Sequence, residues 1–312
     1  MFETITTRAN HLVDPHLHVW AWQIPLYLFL GGWVAGLLIL FGLKLRRGAR
    51  PARDSVTYPL PWIGLGLLSL GMLALFLDLE HKLHALRLYV SFEPSSPMSW
   101  GAWILLIVYP VLVLGALLDP PGALTRRFPW LTRAARSIRW TPDRLRLLGL
   151  VAIACGILLG VYTGVLLSSL GARPFWSSGL LAPLFLVSGL SAGAAFAHLI
   201  ARRSDEQRQM VLLDTRLLAV ELALLLLLVL GLVGGGAVQK EAAALVLRGP
   251  LTAIFWVLVV GVGVVLPLLV QLLAIRGRVH HQPVAPLLVL GGGLALRFVI
   301  VWAGQASHWL HG

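Results

Sequence analysis

The sequence contains very little cysteine and acid, and almost no histidine within its apolar stretches. Cysteine occurs once among 312 residues, at Cys155, so no disulfide framework can form, and the thiolates of an iron–sulfur cluster are missing. Only 12% of the residues are charged, and 13 Asp and Glu stand against 25 Lys and Arg. The N-terminus also lacks a basic start, a short apolar core and a small-residue cleavage site, so no removable signal peptide is predicted. Any iron–sulfur cluster that works with this protein is therefore expected in a partner.

Apolar residues dominate instead. They make up 58% of the chain, which has a mean hydropathy of +0.85 and is more apolar than a soluble domain of this length. Eight stretches are long enough to cross a hydrocarbon core about 30 Å thick. They lie near residues 24–43, 60–79, 99–118, 147–167, 180–200, 217–235, 251–272 and 285–304. Because the stretches lack the alternation of barrel strands, they predict an all-α integral membrane protein with eight transmembrane helices.

Basic residues alternate between the two sides of these spans. The connections after the first, third, fifth and seventh spans carry 18 Lys and Arg, and the other connections with both termini carry 6. This bias places both termini outside the cytoplasm. The protein itself is expected in the cytoplasmic (inner) membrane of a bacterial or archaeal cell. Seven Arg lie in the loop 119–146, which is expected to be an amphipathic segment on the inner leaflet. The net charge of +12 is thus explained by topology, and no nucleic-acid partner is predicted.

Polar side chains collect at the predicted outer ends of the first four spans. They are His16, His18, Gln23, Tyr27, Asp78, Trp100, Tyr162 and Thr163. A quinone needs an apolar slot, a donor for each carbonyl and a titratable group, and these residue types supply all three. The alternative is an aromatic belt that anchors the helices at the interface. Asp78 favours the site, because an acid just inside a span is costly unless it is functional or paired.

A second polar set belongs to the last four spans. It consists of Glu221, Arg297, Gln271 and His198, and Arg297 lies about 18 Å deep by helical rise. Opposite charges at such depth indicate either a proton path or a buried ion pair. The sequence leaves both alternatives open.

Haem is not expected in this chain. Ligation by two histidines requires histidines inside facing spans, and among the ten histidines only His198 falls within a predicted span, at its end. The sequence therefore predicts no haem, no metal ligand set and no intrinsic redox centre other than bound menaquinone or ubiquinone.

Six segments together carry a family resemblance. In chain order they are YLFLGGWVAG (27–36), FLDL (76–79), SPMSWGAW (96–103), YTGVLLS (162–168), PLFLVSGLSAG (183–193) and LRFVIVWAGQ (296–305). These segments resemble, in the same order, the NrfD/polysulfide reductase membrane-subunit family.

The resemblance implies a quinone-binding subunit made of two four-helix bundles. Residues 1–167 would form the N-terminal bundle with the quinone site near the outer face, and residues 168–312 the C-terminal bundle. In the family this subunit docks a ferredoxin-like subunit with several 4Fe-4S clusters outside the cytoplasm. That partner links the quinone to a molybdenum enzyme or a multihaem cytochrome.

The resemblance also assigns roles to individual residues. Tyr162 matches the quinone-site tyrosine of the family, and Asp78 matches the acid that ends the second span. Some members have a histidine between the two tryptophans that open the first span. This chain has Ala21 there, so a carbonyl-binding histidine would be His18 or His16.

The sequence therefore predicts a quinone- or quinol-reactive electron-transfer subunit of a multi-subunit respiratory oxidoreductase, whose substrate site lies on another chain. The direction of electron flow stays open. Two alternatives remain, an ion-coupled secondary transporter with Glu221 and Arg297 as coupling residues, and a structural membrane anchor without quinone chemistry. Transporters often show repeated halves, which this chain lacks.

Overall fold

The computed structural model describes residues 20–79, 96–170, 173–277 and 283–307, and within these ranges all regular structure is helical. Eight helices there are long and apolar enough to cross a membrane. They are α1 (Gln23–Leu45), α2 (Leu60–Asp78), α3 (Pro97–Ala116), α6 (Pro142–Ser168), α7 (Leu181–Ile200), α8 (Ser204–Gly234), α10 (Ile254–Ile275) and α11 (Val284–Ala306). Three short helices are α4 (Gly122–Arg127), α5 (Pro129–Ser137) and α9 (Ala237–Leu247). The predicted all-α protein with eight spans is confirmed.

Two of the spanning helices begin earlier than their apolar stretches. Helix α8 starts at Ser204 instead of near residue 217, and Asp205 and Glu206 lie in its first turn, where the helix dipole favours acids. Helix α6 starts at Pro142, and Thr141 accepts a hydrogen bond from the Arg144 amide at its N-terminus. The extra turns bring polar residues into continuous helices.

The Arg-rich loop 119–146 contains α4 and α5. In α5, Leu131 is buried while Arg133 and Arg136 are exposed, so the helix has an apolar side and a basic side. This agrees with the amphipathic segment predicted for the loop. Its placement on the inner leaflet stays a prediction.

Helix α1 is the centre of the fold. It packs against α2, α6, α7 and α11, and therefore contacts helices from both halves of the chain. Leu28 and Val34 on α1 have no solvent exposure at all. Helix α1, the first apolar helix of the chain, is thus surrounded mainly by other helices rather than by lipid.

Glycines allow this close packing. A Cβ atom on Gly36 would collide with the carbonyl oxygen of Gly189 and lie 3.2 Å from the Cα of Gly193. In the opposite direction, a Cβ atom on Gly189 would collide with the carbonyl oxygen of Gly32. Because nothing larger than hydrogen fits here, α1 and α7 approach at backbone contact, as helices in lipid often do.

Helix α10 is π-helical from Ile254 to Val265 and α-helical from Leu266 onward. Pro267 lies just after the change, and proline lacks an amide hydrogen and clashes with the carbonyl four residues before it. That carbonyl belongs to Gly263, whose Cα faces Gly292 on α11 at close range. The irregular helix therefore coincides with the closest contact between α10 and α11.

We predict that Gly36→Ala destabilises the protein and Gly31→Ala does not. The added methyl group of Gly36→Ala overlaps the α7 backbone, and overpacking of this kind costs about 1–3 kcal/mol. A Cβ atom on Gly31, in the same helix, meets nothing within 4 Å. The measurement is thermal unfolding of the purified protein in detergent. Equal melting temperatures for the two variants would contradict the packing described here.

Sidedness can be tested by cysteine labelling, because the native Cys155 is buried and should react poorly. Ser137 at the end of α5 and Ser177 before α7 are both exposed, at opposite ends of the bundle. We expect an impermeant maleimide to label Ser177→Cys in intact spheroplasts and Ser137→Cys only after the membrane is opened. The reverse pattern would show that the basic loops face outward.

Candidate functional site

An apolar cavity of about 220 Å³ lies at one end of the bundle, between α1, α2, α3 and α6. Four of its lining residues carry polar atoms, namely Trp20, Tyr27, Asp78 and Tyr162. The other lining residues are Gly101 and aliphatic or Met side chains, such as Leu105. We call the end of the bundle that holds this cavity the cavity end, and the opposite end, with the Arg-rich α4 and α5, the basic end.

Helix ends place the polar groups at one level. Asp78 is the last residue of α2, after which the chain becomes extended, and its side chain is half-buried. Tyr27 lies one turn into α1 and is 5% exposed, and Tyr162 lies near the end of α6 and is 6% exposed. Two tyrosines and one aspartate thus line a single apolar space.

Gly101 makes room for Tyr162. A Cβ atom on Gly101 would collide with both the hydroxyl group and the ring of Tyr162. The Tyr162 side chain therefore reaches across to the backbone of α3, and only glycine at position 101 permits this orientation. Gly101 belongs to the SPMSWGAW segment, so part of that segment's sequence is explained by the tyrosine it faces.

Trp20 is held in the cavity wall by the end of α11. Its backbone amide donates to Gln305 Oε1 at 3.0 Å, and Gln305 Nε2 donates to the Trp20 carbonyl at 2.9 Å. The indole of Trp20 packs on that of Trp176, with ring centroids 5.3 Å apart, and Trp176 Nε1 donates to the Ile300 carbonyl at 2.8 Å. The last helix therefore fixes one wall of a cavity built by the first half of the chain.

The structure brings only some of the predicted quinone-site residues together. Tyr27, Asp78 and Tyr162 line the cavity, whereas Gln23, Trp100 and Thr163 are not among its lining residues. The Thr163 hydroxyl donates to the Gly160 carbonyl of its own helix at 3.0 Å, and the Trp100 ring is 42% exposed. His16 and His18 lie outside the described residues, as do His81, His84 and most of the loop between α2 and α3.

A second polar cluster lies toward the basic end and is centred on Asp214. This acid has no solvent exposure, and it accepts hydrogen bonds from Ser191 Oγ at 2.7 Å and Gln271 Nε2 at 2.5 Å. Thr215 Oγ1 donates in turn to Gln271 Oε1 at 2.9 Å. Gln271 was predicted as part of this polar set but Asp214 was not, because the apolar stretch predicted to span the membrane begins near residue 217. The signal that could have found it was the seven-residue spacing between Asp214 and Glu221.

Glu221 and Arg297 are both buried within the helices. Arg297 Nη2 donates to the Phe185 carbonyl at 3.1 Å, and its guanidinium carbon lies 3.8 Å from the centre of the Phe185 ring. The two charges interact electrostatically, yet no direct ion pair joins them among the salt bridges of the described ranges. His198 is buried in the last turn of α7. The proton path and the buried pair both stay predictions.

Metal ligands do not converge anywhere in the parts of the chain that the structure describes. No group of three or more His, Cys, Asp or Glu side chains suited to a metal ion is found in those ranges. The absence of haem and of metal from the whole chain stays a prediction.

Comparison with known proteins matches residues 10–307 to the family described as "Polysulphide reductase, NrfD". A polysulfide reductase chain from Wolinella succinogenes is 31% identical, with 92% of this sequence and 94% of the relative aligned. Protein NrfD from Escherichia coli is 32% identical over 93% of this sequence and 96% of the relative. A selenate reductase subunit from Mesobacillus selenatarsenatis is 23% identical over 74% of this sequence and 61% of the relative. The resemblance found in six segments therefore extends along nearly the whole sequence.

Proposed function

Because the chain belongs to the NrfD/polysulphide reductase family, we propose that it exchanges electrons between the quinone pool and an iron–sulfur partner outside the cytoplasm. It is a multi-pass inner-membrane protein and the electron-transfer subunit of an oxidoreductase complex. The quinone, menaquinone or ubiquinone, is the proposed substrate of this subunit. The partner would be a ferredoxin-like subunit with several 4Fe-4S clusters, which connects to a molybdenum enzyme or a multihaem cytochrome.

The cavity carries this proposal. Its lining residues are apolar apart from Trp20, Tyr27, Asp78 and Tyr162. A quinone head group is a flat apolar ring with two carbonyl acceptors, and it needs hydrogen-bond donors on an otherwise apolar surface. The cavity is not fully enclosed by the four helices, because Met98 and Asp78 are at least partly exposed. The cavity would therefore admit the quinone ring through this opening at the cavity end of the bundle.

Each polar group has a role in this reaction. The Tyr162 hydroxyl donates a hydrogen bond to one quinone carbonyl, and His18, which lies outside the described residues, donates to the other, while Tyr27 lines the site. Asp78 accepts a proton when a quinol is oxidised and returns it when a quinone is reduced. Oxidation of one quinol releases two protons and two electrons, and the electrons leave through the iron–sulfur partner. A half-buried carboxyl group suits this exchange, since it contacts both the cavity and the surface.

The proposed architecture is two four-helix bundles, residues 1–167 and 168–312, with α1 at their boundary. Contacts of α1 with α2 and α6 on one side and with α7 and α11 on the other support this division. We propose residues 90–98 as the docking surface of the partner. Residues 90–95 lie outside the described part of the chain, and Met98, at the start of α3, lines the cavity.

We predict that Tyr162→Phe and Asp78→Asn lower quinone-linked turnover of the assembled complex. Loss of one hydrogen bond worth about 1.5 kcal/mol corresponds to roughly a tenfold slower reaction for Tyr162→Phe. Loss of the proton carrier corresponds to about a hundredfold slower reaction for Asp78→Asn. The matched controls are Tyr109→Phe in α3 and Asp143→Asn at the start of α6, which lie outside the cavity and should keep full turnover.

Turnover is measured with a soluble quinol analogue and the complex purified from membranes. Unchanged rates in both cavity variants would show that the quinone reacts elsewhere. Co-purification separates the alternatives, because an anchor would retain the partner without quinone, and a transporter would retain neither.

A further inference from the structure

Trp20 lies in the non-helical segment just before α1, and its backbone is held by the far end of the chain. Its amide donates to Gln305 Oε1 at 3.0 Å, and Gln305 Nε2 donates to its carbonyl at 2.9 Å. A glutamine amide carries both an acceptor and donors, so Gln305 satisfies both backbone groups of a single residue. The position of Trp20 is therefore fixed by α11 as well as by the start of α1.

The ring of Trp20 has a support of its own. It packs on Trp176 with the two ring planes tilted by 31°. Trp176 is 1% exposed, and its Nε1 donates to the Ile300 carbonyl on α11. A Cβ atom on Gly304 would collide with the Trp176 indole, so this indole lies directly against the backbone of α11. Trp176 thus offers Trp20 a surface that is itself held by the last helix.

The loop that carries Trp176 is also tied to the end of α11. Arg173 Nη1 donates to the Ser307 carbonyl at 2.9 Å, and the Phe175 amide donates to Ser307 Oγ at 3.3 Å. All three of these residues are buried. The loop 173–176 and the end of α11 therefore form one connected unit, which we call the Trp20 support.

The Trp20 support lies behind the cavity wall and not in it. Trp20 lines the cavity, whereas Trp176 and Gln305 are not among its lining residues. The cavity is otherwise lined by residues of α1, α2, α3 and α6, together with Leu79 just after α2. Any effect of Gln305 on a molecule in the cavity is therefore expected to pass through Trp20.

We propose that Gln305 is a positioning residue for the quinone, and that it acts by holding Trp20 in the cavity wall. The inference rests on the proposed quinone reaction, and it assigns part of the affinity for quinone to the last helix of the chain. A quinone ring and an indole are both flat, and flat rings stack favourably when they lie face to face with an offset. Holding the indole in place before the quinone binds lowers the entropic cost of that contact.

This role predicts a particular kinetic effect. An indole exchanges no proton with the quinone, so its contact with the ring is equally strong before and during the reaction. An interaction of this kind lowers KM and leaves kcat unaltered. Loss of the Trp20 position should therefore raise KM alone, whereas Tyr162→Phe and Asp78→Asn slow the turnover itself.

The test measures quinol oxidation by the complex purified from membranes, with a soluble quinol analogue as the variable substrate. Gln305→Leu keeps most of the side-chain volume and removes both hydrogen bonds to Trp20. We expect KM to rise roughly tenfold, as for the loss of one aromatic contact, with kcat unchanged. Gln209→Leu is the matched control, because Gln209 is exposed on α8 toward the basic end and should change neither constant.

A double-mutant cycle shows whether Gln305 acts through Trp20. Trp20→Ala removes the ring and should raise KM at least as much as Gln305→Leu. In the Trp20→Ala background, Gln305→Leu should have little further effect, because no ring is left to position. Two independent effects on the structure would instead multiply their changes in KM.

Trp176→Phe provides a second variant, since it removes the hydrogen bond to Ile300 and alters the surface under Trp20. It should also raise KM without lowering kcat, and it replaces Gln305→Leu in the cycle if that variant does not assemble. An unchanged KM in Gln305→Leu, a lower kcat with unchanged KM, or multiplied effects in the double variant would each overturn the proposal. Absence of quinol oxidation by the wild-type complex would instead refute the proposed quinone function.

Discussion

A polar group inside a membrane-spanning helix bundle has no water to bind, so the protein must supply its partners. This constraint accounts for several contacts between distant parts of the chain. Gln305 uses its whole amide on the backbone of Trp20, and Gln271 uses its amide on Asp214 and Thr215. Arg297 satisfies one nitrogen on the Phe185 carbonyl and stacks on its ring. Each of these contacts joins a helix to another part of the chain, so the hydrogen bonds of the polar groups also hold the helices together.

The same constraint limits how many polar side chains can line an apolar space inside the bundle. Tyr27, Asp78 and Tyr162 are among the residues that line a mostly apolar cavity. Glycine shapes this arrangement as much as the polar residues do. Gly101 gives Tyr162 its position, and Gly32, Gly36 and Gly189 let α7 lie against α1. Helix α1 then lines the cavity with its first two turns and meets Arg297 about one turn farther along, at Gly32.

Apolar run length predicted the eight spans, because the thickness of lipid fixes the length of a helix that crosses it. It failed at the start of α8, where the helix continues through polar sequence and brings Asp214 into the bundle. The depth of a residue in the membrane could also be predicted from its position along a helix. Gln23, Tyr27 and Thr163 were in this way predicted to lie at about the same depth. Depth does not determine the direction in which a side chain points. Tyr27 therefore faces the cavity, while the Thr163 hydroxyl bonds to its own helix.

Contacts between distant parts of the sequence could not be predicted at all. Trp20 and Gln305 are separated by 285 residues, and nothing in either local sequence indicates that they pair. The resemblance of the segment 296–305 to the family marked it as important without showing why. Its two polar residues, Arg297 and Gln305, turn out to contact α7 and the entry to α1, respectively. Arg297 therefore joins the last helix to α7, and Gln305 joins it to the segment just before α1.

The most direct test of this account is to locate bound quinone with a photoreactive azidoquinone. The complex would be illuminated with the probe, digested and analysed by mass spectrometry, with an excess of unlabelled quinone as competitor. We expect competed label in the cavity segments of α3, residues 98–105, and α6, residues 162–167. Competed label confined to α8, α10 or α11 would contradict the assignment of the quinone to the cavity between α1, α2, α3 and α6.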